Sequence, residues 1–67
     1  MDSILSTLST PIIKSVLHVT PHLTVKQLAD ITGLPPRHIY YVLNKSDYCM
    51  DFIRTDHGNN YFTYENV

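Results

Sequence analysis

The side chains with the widest chemical repertoire cluster between Arg37 and Lys45, in the run Arg-His-Ile-Tyr-Tyr-Val-Leu-Asn-Lys. A guanidinium such as that of Arg37 can pair bidentately with guanine O6 and N7, and a carboxamide such as that of Asn44 with adenine N6 and N7. Tyr40 and Tyr41 offer hydroxyls to phosphates and rings to thymine methyl groups. The same Tyr and Arg types also dominate the hot spots of protein interfaces. Catalytic chemistry is poorly supplied by comparison. The single cysteine, Cys49, has no Gly-rich phosphate loop or paired carboxylates near it, and reads as a small buried hydrophobe rather than a nucleophile. His18 and His22 have metal-compatible spacing that His38, Cys49 and His57 could complete, but Pro21 lies between the first two and interrupts the helix that would align them. No enzyme, cofactor or metal site is expected. Four histidines permit pH-sensitive binding, with no carboxylate partner identifiable in the sequence.

The chain that must position these groups is short. Sixty-seven residues form one domain, and domains of this size bury only about 60% of the surface their unfolded chains expose, so stability is marginal. One cysteine allows no intrachain disulfide. Self-association is the expected source of extra stability, and a homodimer the expected state. Residues 1–15 lack a basic n-region, carry Asp2 and are interrupted by Ser, Thr and Pro11, unlike a secretory signal. No apolar run approaches the ~20 residues that span a bilayer, so a soluble, cytoplasmic protein is expected. The net charge is −1, with Lys14, Lys26, Arg37, Lys45 and Arg54 offset by Asp2, Asp30, Asp47, Asp51, Asp56 and Glu65. Any nucleic-acid footprint must therefore be small and confined to one face.

The stretch Leu23–Asn44 has the layout of a helix-turn-helix, two short helices crossing at a tight turn. Thr24 and Gln27 form a capping box that opens a helix over Val25–Thr32. Ala29 is small where the helices approach, and Gly33 stands where the chain must leave the helix with positive φ. Thr32 departs from the usual apolar choice, and Pro35-Pro36 replaces a polar start to the second helix, a substitution tolerated in a first turn. In the second helix, from about 36 to 45, Ile39, Val42 and Leu43 share the inward face, joined from the first by Leu28 and at the turn by Leu34. Arg37, Tyr41 and Asn44 lie opposite, with His38, Tyr40 and Lys45 on the flanks.

Residues 1–22 read as an N-terminal helical segment. Asp2 or Ser3 can cap a run with Ile4, Leu5 and Leu8 on one side. Thr10 then caps, and Pro11 opens, a run to Val19 whose apolar face is Ile12, Ile13, Val16 and Leu17. One bent helix and two separate ones are both open. Pro21-His22 is the link onward. The segment is expected to pack under the helix-turn-helix, and its apolar character also suits a dimer contact. Residues 48–65 change to a period of two. Met50, Phe52 and Arg54 alternate with Asp51, Ile53 and Thr55, His57–Asn60 supply a turn, and Tyr61–Tyr64 return as a second strand. Phe52, Phe62 and Tyr64 are expected to face the helices and Tyr61 to face out.

A helix-turn-helix followed by such a hairpin over Thr24–Tyr64 resembles the winged helix-turn-helix superfamily of transcriptional regulators. The paired Tyr40-Tyr41 and the chain length are similar to those of the short pilus-operon regulators. The resemblance implies a mainly α fold with a small β-hairpin, a three-helix core plus a two-stranded wing. It also implies binding of double-stranded DNA, with the second motif helix in the major groove and the wing on the backbone or minor groove. Arg37, His38, Tyr41 and Asn44 would then read bases. Lys26, Tyr40, Lys45, Arg54, His57 and Asn59 would hold the backbone, setting register rather than sequence. Each residue has a plainer reading: Arg37 and Lys45 as solvated charges, Tyr40 as a half-buried helix edge, Asn44 as a helix end, Asn59 and Asn60 as turn formers. The alternative function is a protein-interaction module on the same fold, a phage or plasmid antirepressor or inhibitor binding a host protein.

Overall fold

The computed structural model describes the backbone of residues 2–67 and the side chains from Thr7 onward. The caps expected at Asp2 or Ser3, and the apolar positions Ile4 and Leu5, lie outside the described side chains. Three helices, α1 (Asp2–Val19), α2 (Val25–Thr32) and α3 (Pro36–Asn44), precede an antiparallel hairpin of β1 (Phe52–Asp56) and β2 (Phe62–Asn66). The domain is mainly helical.

Both boundaries of α2 follow from local chemistry. The Thr24 hydroxyl accepts from the Gln27 N–H at 3.1 Å, and the Gln27 side chain accepts from the Thr24 N–H at 2.9 Å. At the other end Gly33 adopts φ +76° and donates to the Ala29 carbonyl, a conformation that costs a residue with a Cβ about 1–2 kcal/mol. Pro35 and Pro36 then open α3 without a side-chain cap. Its last turn closes at Ser46, whose buried hydroxyl donates to the Val42 carbonyl at 2.7 Å.

Elsewhere the chain departs from expectation. Residues 2–19 form one helix, one of the two arrangements left open by the sequence, and Thr10, expected as a cap, is instead buried mid-helix, with Pro11 an interior residue contributing no N–H to the ladder. Ile13 and Leu17 enter the core, while Ile12, 100° away from Ile13, faces solvent together with Leu8. Packing of this helix against α2, α3 and β2 offsets the proline's cost, which local sequence rules do not weigh. Further on, Cys49–Asp51 form a 3-10 turn, so β1 begins at Phe52 and Met50 is left exposed. Cys49 is half-buried rather than buried.

The core comprises Ile13, Leu17, Leu23, Leu28, Ile39, Val42, Leu43, Phe52 and Tyr64, with Val16, Val25, Ala29, Leu34 and Phe62 packed against it. The expected inward set of the hairpin is thus in place, and Tyr61 is exposed. Pro21-His22 proves more than a link. His22, at φ +63°, and Leu23 both donate to the Tyr64 carbonyl at 2.9 and 3.3 Å, and the Tyr64 N–H returns to Leu23 at 2.9 Å. The segment between α1 and α2 therefore lies along β2 as a one-residue third strand. At the chain's end, Asn66 donates to the Lys14 carbonyl at 2.9 Å and Lys14 pairs with Asp51 at 3.2 Å, tying the hairpin base to α1.

Replacing Thr24 by Ala should cost about 1 kcal/mol by removing the cap. In a domain of this size that lowers the melting temperature by roughly 4–8 °C. Thr24→Ser, which keeps the hydroxyl, should retain most of the stability in the same circular-dichroism melt.

Candidate nucleic-acid interface

The first two turns of α3 place Arg37, Tyr40 and Tyr41 at the surface, because burial of Ile39, Val42 and Leu43 turns the opposite side outward. Lys45 follows, exposed, just past the last helical residue. Neither Arg37 nor Lys45 has an ion-pair partner among the described residues, and Asp51 is drawn away to Lys14. Lys26 is exposed in the first turn of α2. These cations are available to an external anion.

Two of the expected base readers are used internally. His38 sits on the flank nearest α1, and its Nε2 lies 2.8 Å from the Ser9 hydroxyl, so it joins α3 to α1 and does not stand with Arg37 and Tyr41. Asn44 is half-buried and bonded three ways. Its Nδ2 donates to the Tyr40 carbonyl and to the Tyr64 hydroxyl, both at 3.1 Å, and its Oδ1 accepts from the Arg54 guanidinium at 3.3 Å. The amide orientation follows from its partners: a carbonyl only accepts and a guanidinium only donates. Three of the four hydrogen bonds this amide can make are thereby filled.

The consequence falls on Arg54. Its Cζ lies 4.9 Å from the Phe62 ring centroid, so ring and amide together hold an exposed cation beside the end of α3. The hairpin tip is equally ordered by local bonds. Asp56 accepts from the Gly58 N–H at 2.8 Å, and Gly58, Asn59 and Asn60 all take positive φ, the conformation Gly and Asn tolerate. Asn59 and Asn60 are therefore turn formers. His57 is exposed, with Nε2 2.8 Å from the buried Thr63 hydroxyl and its ring edge-on to Tyr61 at 5.1 Å.

Between hairpin and helices lies a groove of 340 Å³, not expected from the sequence, where Lys26 and Tyr40 meet Tyr61 and Phe62. The outward position of Tyr61 was its one local signal; the approach of Lys26 depends on tertiary folding. Equally unforeseen was a carboxylate for His22, which Glu65 supplies at 3.4 Å. His22 lies beyond the end of α1 in a left-handed conformation, so it is not on a helical face with His18. Among the described residues, no three His, Cys, Asp or Glu side chains converge as a metal site. No helix among them is long and apolar enough to cross a membrane.

No family model, curated protein or solved structure matches this chain.

Tyr64→Phe and Asn44→Ala, combined in a double-mutant cycle, measure the bond that joins α3 to the hairpin. The coupling should be about 0.5–1.5 kcal/mol in urea unfolding. Strict additivity would show that the contact contributes nothing.

Proposed function

We propose that this chain is a winged helix-turn-helix regulator that binds double-stranded DNA, with α3 in the major groove and the hairpin as a wing on the backbone or minor groove. The observation that carries the reading is the exposed Arg37, without an ion-pair partner among the described residues, beside Tyr41 on the outward face of α3. Arg37 and Tyr41 are the base readers. Lys26, Lys45 and Arg54 hold phosphates, and Tyr40 donates its hydroxyl to the backbone. Asn44 serves by fixing Arg54 against the end of α3, and His38 by fixing α3 to α1. His57 and Asn59 set the shape of the wing tip, and the backbone approaches there. Occupying promoter DNA is the mode of action that fits so small a domain. Its cytoplasmic location is part of the same proposal.

The aromatic groove formed by Tyr40, Tyr61 and Phe62 favours a second reading, a protein-interaction module whose partner inserts an apolar side chain there. Salt separates the two. Three phosphate-holding cations give a log–log salt slope of roughly −3 per bound chain, whereas an aromatic protein contact changes little.

Selection from random duplexes should enrich one sequence motif. Against the enriched duplex, Arg37→Ala should reduce discrimination at one base position by about 1–3 kcal/mol. Lys26→Ala should weaken all duplexes alike and lower the slope by about 1. Featureless recovery from the selection, or salt-independent binding, overturns the regulator reading.

A further inference from the structure

The groove between the hairpin and the helices has the make-up of a small-molecule site. Its 340 Å³ lie at the lower end of the range of pockets that enclose such ligands. Tyr40, Tyr61 and Phe62 supply aromatic walls and Asn60 a carboxamide, and Lys26 is the only charged residue that lines it. Lys26 has no ion-pair partner among the described residues. Each wall is fixed by bonds within the protein. The Thr24–Gln27 capping box holds the chain that leads into Lys26. The Tyr40 carbonyl accepts from Asn44 at 3.1 Å. The Tyr61 N–H donates to the Gly58 carbonyl at 3.0 Å, and the Tyr61 carbonyl accepts from the His57 N–H at 2.8 Å. The His57 ring, which does not line the groove, braces the Tyr61 ring edge-on at 5.1 Å. Walls held in this way have little freedom left to lose when a ligand enters.

We infer that this groove binds a small aromatic carboxylate, its rings against Tyr40, Tyr61 and Phe62 and its carboxylate on the Lys26 ammonium. The lining selects both halves of the ligand. Aromatic rings gain from offset or edge-on contact with other rings beyond the area they bury. One unpaired ammonium calls for one negative charge, and the charge-assisted bond between them is the stronger kind. A neutral ring leaves Lys26 unmatched, as does the apolar side chain of a protein partner. An aliphatic acid keeps the ion pair and forfeits the ring contacts. The volume limits the body to one or two fused rings. Lys26 and Tyr40 are also the side chains that the DNA reading assigns to phosphates, so a filled groove competes with a duplex. That consequence alone rests on the DNA reading; the site does not.

Naphthoate titrated into the isotope-labelled full chain, without DNA, should saturate one site with a Kd of about 0.1–1 mM. The amide shifts should centre on Lys26, Tyr40, Tyr61 and Phe62. Naphthamide, which has the same shape and no charge, should bind roughly three- to tenfold more weakly. Lys26→Gln should abolish that difference, and Tyr61→Ala should weaken acid and amide alike by about tenfold. Both substituted positions are exposed, so both variants should keep the wild-type far-ultraviolet circular-dichroism spectrum. With a selected duplex present, naphthoate should raise the apparent Kd for DNA. No saturation by about 10 mM, ten times the weakest expected Kd, overturns the inference. So do equal affinities of the wild type for acid and amide, or shifts centred elsewhere. Undiminished duplex binding at saturating naphthoate overturns the competition. A chain that binds naphthoate and no duplex overturns the DNA reading and supports the site.

Discussion

Tyr64 is the point at which the hairpin becomes part of the domain. A two-stranded hairpin is marginal in water by itself, and here one residue ties it to two other parts of the chain. Tyr64 is 2% exposed. Its backbone bonds to His22 and Leu23 before α2, and in the ladder it stands opposite Arg54 of β1. Its hydroxyl accepts from Asn44 of α3. Burial of the ring supplies the driving force, and the hydroxyl bond satisfies a polar atom that would be costly to leave unpaired in the interior.

From that joint the presentation of the outward face follows. Asn44, held by Tyr64 and by the Tyr40 carbonyl, aims its oxygen at Arg54, while Phe62 lies under the guanidinium. Helix α3 and the hairpin are thus tied together on the side where the cations are exposed. On its other flank α3 is fixed by His38 to Ser9. Two polar side chains that could have faced outward are spent on holding the helix, and Arg37 and Tyr41 are left to face solvent. The division conserves rigidity where the chain is too small to gain it from a large core.

What the sequence disclosed, and what it withheld, divides along contact range. The start and stop of α2 are written in adjacent residues, Thr24 with Gln27 and Gly33 with its positive φ, and the same holds for the tip formed by Gly58, Asn59 and Asn60. The buried triad of α3 follows from helical periodicity, and the inward Phe62 and Tyr64 from strand alternation. The roles of His38 and Asn44 were hidden because their partners, Ser9 and Tyr64, are distant in sequence. For α1 the local rule misled. Thr-Pro is a common helix start, yet here packing of Ile13 and Leu17 carries the helix through Pro11. Ile12, assigned by helical spacing to one apolar face with Ile13, Val16 and Leu17, faces solvent instead.

The joint at Tyr64 is tested most directly by native-state amide hydrogen exchange. If the hairpin is held as described, the Tyr64 and Leu23 amides should exchange as slowly as those of Ile39, Val42 and Leu43 in α3, all opening only with global unfolding. If Tyr64 and Leu23 exchange through a separate, lower-energy opening while α3 stays protected, the hairpin is an independent flap, and the account of how α3 and Arg54 are held together is wrong.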